Sequence, residues 1–304
     1  MKRSEHILEN CNKKRSLHLL PYLLVAPSIG FFLVFYIYPI LYNMYLSFFE
    51  WNLISPTKDF VGFGNFKNLF GSKEFLEVIS NSLIYMGATV VLTVVIALLL
   101  AVWLNKNSMI HTMIQGLVFS PYIISFVSVS FVWMWLMDVD YGLLNYFLGL
   151  FGIDKCQWIN HPDTALISII LVGVWKLVGY DTLVIIGGLQ SIPKSIYESV
   201  SMDARPNIKT FLHITVPMVS PTLFFLVIVN LITSAKVFET IAIMTKGGPI
   251  NSTNTLVYYI YKVAFDYFEI GSASAAGVVL FVILAVITFF YFKILSNKVN
   301  YSSD

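Results

Sequence analysis

Polar and apolar residues fall along this chain in long blocks. Six apolar runs occupy residues 19–41, 83–104, 112–137, 164–189, 219–244 and 272–295. Each is long enough for an α-helix to cross the roughly 30 Å of a bilayer's hydrocarbon. The blocks predict an all-helical membrane protein with six spans, because only helices and closed barrels satisfy their backbone in lipid. The first run exceeds the ~7–15 residue core of a signal peptide and is expected to stay as a span. Pro21, Pro27 and Pro39 delimit or kink it, and Tyr36, Tyr38, Tyr42 and Tyr45 fit an aromatic belt. Pro121 lies inside the third run, and Trp133, Trp135 and Trp158 near its outer boundary read as belt anchors. The sixth run opens with Gly271, Ala273, Ala275, Ala276 and Gly277, small residues that let helices approach closely.

The polar blocks differ in character. Residues 1–18 and 296–304 are polar tails, and 46–80, 138–163 and 245–269 are loops. Residues 190–217 carry Lys194, Glu198, Asp203, Arg205, Lys209 and His213, so this segment cannot lie in hydrocarbon. Ser191 can cap a helix there and Pro193 suits a first turn. Ile192, Ile196, Val200 and Met202 give it a narrow apolar face, and Pro206 ends it. The expectation is a short helix, a sharp turn and a second short helix at a membrane surface, a handle on which a soluble partner could dock.

Composition supports the membrane reading: 57% of the 304 residues are hydrophobic and 12% charged, against about 25% charged in a soluble domain. Two cysteines, Cys11 and Cys156, give no disulfide framework, and the five histidines have no ligand spacing. A net charge of +2 is too small to point to nucleic acid. Charge also orients the chain. The side holding the termini and residues 190–217 carries eleven basic and five acidic residues, and the other side six basic and ten acidic. The positive side is expected to be cytoplasmic.

Four charges fall inside spans: Lys176 and Asp181 in the fourth, Lys236 and Glu239 in the fifth. Such charges are costly in lipid and mark function by default. Lys236 and Glu239, three residues apart, could instead neutralise each other. Lys176 has no acid one turn away. It needs a partner on another helix, water or an anionic ligand. Gly173, Lys176, Leu177 and Tyr180 share one helical face of the fourth span, and Asn230, Thr233 and Ser234 form a stripe on the fifth. Tyr180 and Asn230 have the chemistry that meets sugar rings and hydroxyls, although ordinary interhelical hydrogen bonding explains them too.

Glu198-Ser199-Val200, Asp203-Ala204-Arg205, Phe211, Ile214 and Val216-Pro217 resemble the EAA loop of binding-protein-dependent ABC importer permeases, E-A-A-x-x-D-G-A followed by F-x-x-I-x-L-P. Glu, Asp, Phe, Ile and Pro match at the family spacing. Ser199 and Val200 replace two alanines, Ala204 the glycine, Arg205 the next alanine and Val216 the leucine. Alanine adopts positive φ less readily than glycine, so a wider turn is expected at Ala204. Pro39 to Phe48, Phe60-Val61-Gly62-Phe63, Asn65-Phe66, Leu189-Gln190 with Ile192-Pro193, and Thr245-Lys246-Gly247-Gly248-Pro249 resemble the carbohydrate-type members, in particular the first of their two permease subunits.

The resemblance implies a type I importer permease fold over residues 19–295, with the coupling loop at about 191–217. It implies a second homologous permease, two ATPase subunits and an extracytoplasmic solute-binding protein as partners. No cofactor is then expected on this chain. ATP and magnesium belong to the ATPases, which agrees with the lack of a G-x-x-x-x-G-K-[ST] phosphate loop here. By the resemblance, Tyr197, Glu198, Met202, Asp203, Ala204, Arg205 and Phe211 engage the ATPase. Counted from Glu198, the transmembrane sugar site of the maltose-type relatives falls on Gly173, Lys176, Leu177, Tyr180, Asn230, Thr233 and Ser234. Lys176 is unusual for a neutral sugar and fits a uronate or phosphorylated sugar, or else a salt bridge. Three alternatives remain: glycerol-phosphate or another solute through the same machine, a stand-alone secondary transporter, and a membrane enzyme, for which no catalytic cluster is visible.

Overall fold

A computed structural model describes residues 21–193, 195–198 and 207–295. The first span is helix α1 (Pro21–Leu46), which contains a π-helical turn at Leu33–Ile37. A two-stranded hairpin, β1 (Phe49–Glu50) and β2 (Asp59–Phe60), and helix α2 (Gly64–Gly71) follow. The second span, α3 (Lys73–Leu104), begins ten residues earlier than the apolar run. The Ser72 hydroxyl accepts from the Phe75 amide and caps it, so the helix extends past the hydrocarbon.

The third run does not form one straight helix. It is split into α4 (Met109–Ile123) and α5 (Phe126–Leu136), bent by 102° at Ile124-Ser125. Ile124 and Ser125 are extended, and the Ser125 hydroxyl caps α5 at the Val127 amide. Pro121, within the last turn of α4, supplies no amide hydrogen and weakens the helix there. After the short helix α6 (Leu143–Leu150), the fourth span α7 (Pro162–Gln190) runs unbroken, opened by His161 as cap and Pro162 in the first turn.

Later in the polar segment, helical residues 207–218 form α8, with a π turn at Phe211–Thr215. The fifth span is also broken. Helix α9 (Ser220–Ala235) stops at Lys236, and α10 (Glu239–Met244) restarts after Val237-Phe238. Helix α11 (Leu256–Tyr261) and the sixth span α12 (Ile270–Leu295) complete the chain. Among the described residues five helical segments are long and apolar enough to cross a membrane, six where the bent α4–α5 pair is counted as one span.

The centre of the bundle is α7. In its most apolar stretch 72% of the residues are buried, against none in α1. Helix α3 packs along it, with α4 and α9 on its other sides. The close approach to α4 requires Gly179: a Cβ there would sit 2.0 Å from the Val118 carbonyl oxygen. Val178, Ile185, Ile186 and Leu189 of α7 join Ala97, Ala101, Leu104, Val219 and Leu226 in one apolar core. Ile169, Val172 and Val174 join Val129, Trp133, Ile241 and Tyr258 in another. Trp133 is therefore a core residue, edge-on to Trp175 at 5.4 Å, and not the expected belt anchor. Trp158 is bound into the loop through Asn145, and Trp135 alone of the three is largely exposed.

Candidate functional site

The described part of the polar segment is built onto the end of α7. The Ser191 hydroxyl donates to the Gly188 carbonyl at 2.7 Å, so it closes α7 and does not open the next helix as expected. Ile192 is buried in the core beside Leu189 and Val219, with Ile196 and Tyr197 packed against it. Residues 195–198 are helical, and Glu198 is exposed. The Tyr197 hydroxyl lies 3.3 Å from the Thr215 hydroxyl and ties this arm to α8. On α8, Phe211 and Ile214 are half-buried, whereas Ile208 and Leu212, one turn apart, are exposed. Met202, Asp203, Ala204 and Arg205 lie outside the described residues.

A second constellation lies inside the bundle. Lys176 is buried, at 3% exposure. Its ammonium donates to the carbonyls of Pro121 (3.0 Å), Tyr122 (3.1 Å) and Ile124. It also sits 4.5 Å from the Phe126 ring centre. All three ammonium protons thus go to carbonyls freed where α4 ends, and the helix dipole at that end favours a cation. Tyr180, one turn further, stacks on Tyr122 with ring centres 4.7 Å apart. Gly173 lies against Tyr85 of α3; a Cβ there would meet the tyrosine oxygen at 2.6 Å. Leu177 is buried.

On the fifth span, the Asn230 amide donates to Asp181 Oδ2 of α7. Asp181 is fully buried, and its other oxygen has no hydrogen-bond partner among the described residues. Ser234 turns back to the Leu231 carbonyl at 3.2 Å, and Thr233 is exposed. Lys236 and Glu239 are both exposed, stand on opposite sides of the α9–α10 break, and have no ion-pair partner among the described residues.

Residues 93–301 match the family described as binding-protein-dependent transport system inner membrane component. The chain belongs to this family of permeases. It is similar to the sn-glycerol-3-phosphate transport system permease protein UgpA of Pectobacterium atrosepticum, with 32% identity covering 93% of this chain and 96% of that one. It is 34% identical to the probable ABC transporter permease protein YurN of Bacillus subtilis, over 88% of this chain and 93% of that one. Among solved structures, a bacterial ABC transporter involved in the import of the acidic polysaccharide alginate matches with a TM-score of 0.78. That match has 26% identity and covers 93% of this chain and 98% of that one. The six-span importer permease fold expected from the motifs is the fold observed.

Within this permease the expected substrate residues divide. Gly173 faces α3, Lys176 faces α4 and α5 of the same subunit, and Leu177 is buried. Asn230 faces α7, and Ser234 its own helix. Tyr180 is half-buried, and only Thr233 is fully open. The salt bridge considered for Lys176 is absent among the described residues, and its ammonium is not free for an anionic ligand. Sequence reasoning missed this partner because backbone carbonyls leave no mark in a sequence. Pro121, inside the third apolar run, was the one available signal. The Asp181–Asn230 pair was likewise missed as a pair, although both residues stood out as polar groups in apolar runs.

Proposed function

We propose that this permease forms half of the translocation pathway of an ATP-driven carbohydrate importer. Its partners are a second homologous permease, two ATPase subunits and an extracytoplasmic solute-binding protein. Tyr197, Glu198 and Phe211, together with Met202, Asp203, Ala204 and Arg205, engage the ATPase, which holds the ATP and magnesium. The observation that carries this reading is mechanical continuity. The two arms of the polar segment are joined at Tyr197–Thr215 and run into α7 and α9. Those two helices are joined again by Asp181–Asn230 inside the bundle. Closure of the ATPase pair then moves α7 and α9 as one body. The charge asymmetry of the loops supports a cytoplasmic hairpin, cytoplasmic termini and residence in the bacterial cytoplasmic membrane. Of the seven pathway positions, Tyr180 and Thr233 have surface open to a solute, and Gly173, Lys176, Leu177, Asn230 and Ser234 hold the walls.

A second reading narrows the solute to an anion: glycerol-phosphate or a uronate. The solutes named for UgpA and for the alginate transporter are both acidic. Lys236, exposed at the α9–α10 break, is a cation open to such a group. Glu198→Lys tests the main reading. The expected outcome is loss of ATPase association and of uptake, with the permease still folded in the membrane. Retained uptake and ATPase association would remove Glu198 from the coupling contact.

A further inference from the structure

At the end of the bundle away from the polar hairpin, β1, the β1–β2 loop and the start of α12 enclose a cavity of about 340 Å³. Three carboxylates line it, Glu50, Asp59 and Glu269, with Trp51 and Phe268 as aromatic walls. Its floor is built, not incidental. Asn65, 6% exposed, donates to the carbonyls of Ser47 and Phe49, each at 2.9 Å, while its Oδ1 accepts from no group among the described residues. The Ile270 amide donates to the Trp51 carbonyl at 2.9 Å and fastens α12 to the loop. Gly271 seats the helix so tightly that a Cβ would lie 1.9 Å from the Phe49 oxygen.

The nearby cation of the same loop is withheld. Lys58 does not line the cavity; its ammonium donates to the Tyr42 hydroxyl at 2.7 Å and lies 4.4 Å from the Trp51 ring centre. None of the three carboxylates has an ion-pair partner among the described residues. Three like charges around one cavity favour a cation and repel an anion. Planar acceptors beside aromatic walls suit a guanidinium, which takes carboxylates in a forked geometry and stacks on rings, better than an ammonium.

We propose that this cavity is a socket for an arginine side chain of the solute-binding protein, inserted when that protein docks. The proposal rests on the importer reading above and on the orientation that places this end outside the cell. Three carboxylates repel an acidic saccharide, and the response to free solute in the test below separates a neutral one.

The test uses the assembled transporter in liposomes and its own solute-binding protein. ATP turnover is measured against binding-protein concentration at low and high salt. Glu50→Gln, Asp59→Asn and Glu269→Gln should each raise the half-saturating concentration about two- to fivefold. The triple variant should raise it about tenfold and flatten the salt dependence, with turnover in the absence of binding protein unchanged. Glu269→Lys should be worse than Glu269→Gln, because it places a cation against the incoming one. Unchanged half-saturation and salt dependence in the triple variant, with the complex intact, would overturn the proposal. So would a variant effect that appears only when free solute is titrated, which would mark a saccharide site. If the unmodified complex shows no turnover stimulated by the binding protein, the importer reading itself fails, and the two failures are thereby distinguished.

Discussion

Lys176 shows how one side chain can permit a backbone feature that the membrane would otherwise forbid. A chain that leaves its helix in hydrocarbon exposes carbonyls with no water to satisfy them. Here Pro121, Tyr122 and Ile124 present theirs to one ammonium. Lys176→Met keeps the length of the side chain and removes the donors. Each orphaned carbonyl costs on the order of 1–3 kcal/mol. The expected result is a marked fall in thermal stability of the detergent-solubilised protein, read by a fluorescence melt, and less assembled complex. Asp181 makes a related case. With Asn230→Ala, both carboxylate oxygens would be buried without a partner, whereas Asp181→Asn keeps a neutral bond to Asn230. Asn230→Ala should therefore lower uptake per ATP hydrolysed more than Asp181→Asn does. A larger loss from Asp181→Asn would assign the pair to charge and not to the bond between α7 and α9.

Element by element, the apolar runs locate helices well and their continuity poorly. The runs at 83–104, 164–189 and 272–295 lie within unbroken helices. The runs at 112–137 and 219–244 each contain a break. Hydropathy reports only whether residues are apolar, and a break among apolar residues leaves the average unchanged. The loop between α5 and α7 depends on the Asp138 carboxylate, which accepts from the backbone amides of Tyr141 (2.8 Å) and Asp140 (2.9 Å). These bonds, that to Tyr141 foremost, hold its pKa below the ordinary value of 3.8. A lowered pKa means the contribution to order is present above that ordinary value and is lost as pH falls further, through the folded pKa. Hydrogen exchange in residues 138–142 should thus accelerate below about pH 4 in the native protein and be insensitive there in Asp138→Asn.

On the scale of the molecule, α7 is enclosed by its own subunit, and α1 presents apolar side chains on nearly every side. The buried α7 carries Ile192, Ile196 and Tyr197 at its end, packed on the bundle core; under the proposed function, a push on this segment enters the bundle there. That placement is what gives the Glu198→Lys experiment its meaning, because a solvated loop unconnected to the core would not uncouple transport. The order of motifs made the family and the membrane class legible, since each depends on residues close together in the chain. The inner site was only half legible. Gly173, Lys176 and Tyr180 share a helical face as the spacing requires, and that face meets α3 and α4.

The sequence by itself determined which segments are greasy enough to cross a bilayer, which side carries the positive loops and which polar segment lies between the fourth and fifth spans. Those properties are sums over neighbouring residues, and lipid and water act on them directly. Only the tertiary structure decided that the third span bends by 102°, that Lys176 is occupied by backbone carbonyls and that Asp181 meets Asn230. Residues 52 and 49 positions apart in the chain made those contacts, with Ile124 and Asn230 respectively. The reason is that a buried polar group must find a partner wherever packing brings one. Packing is set by shape across several helices, which no single stretch of chain encodes.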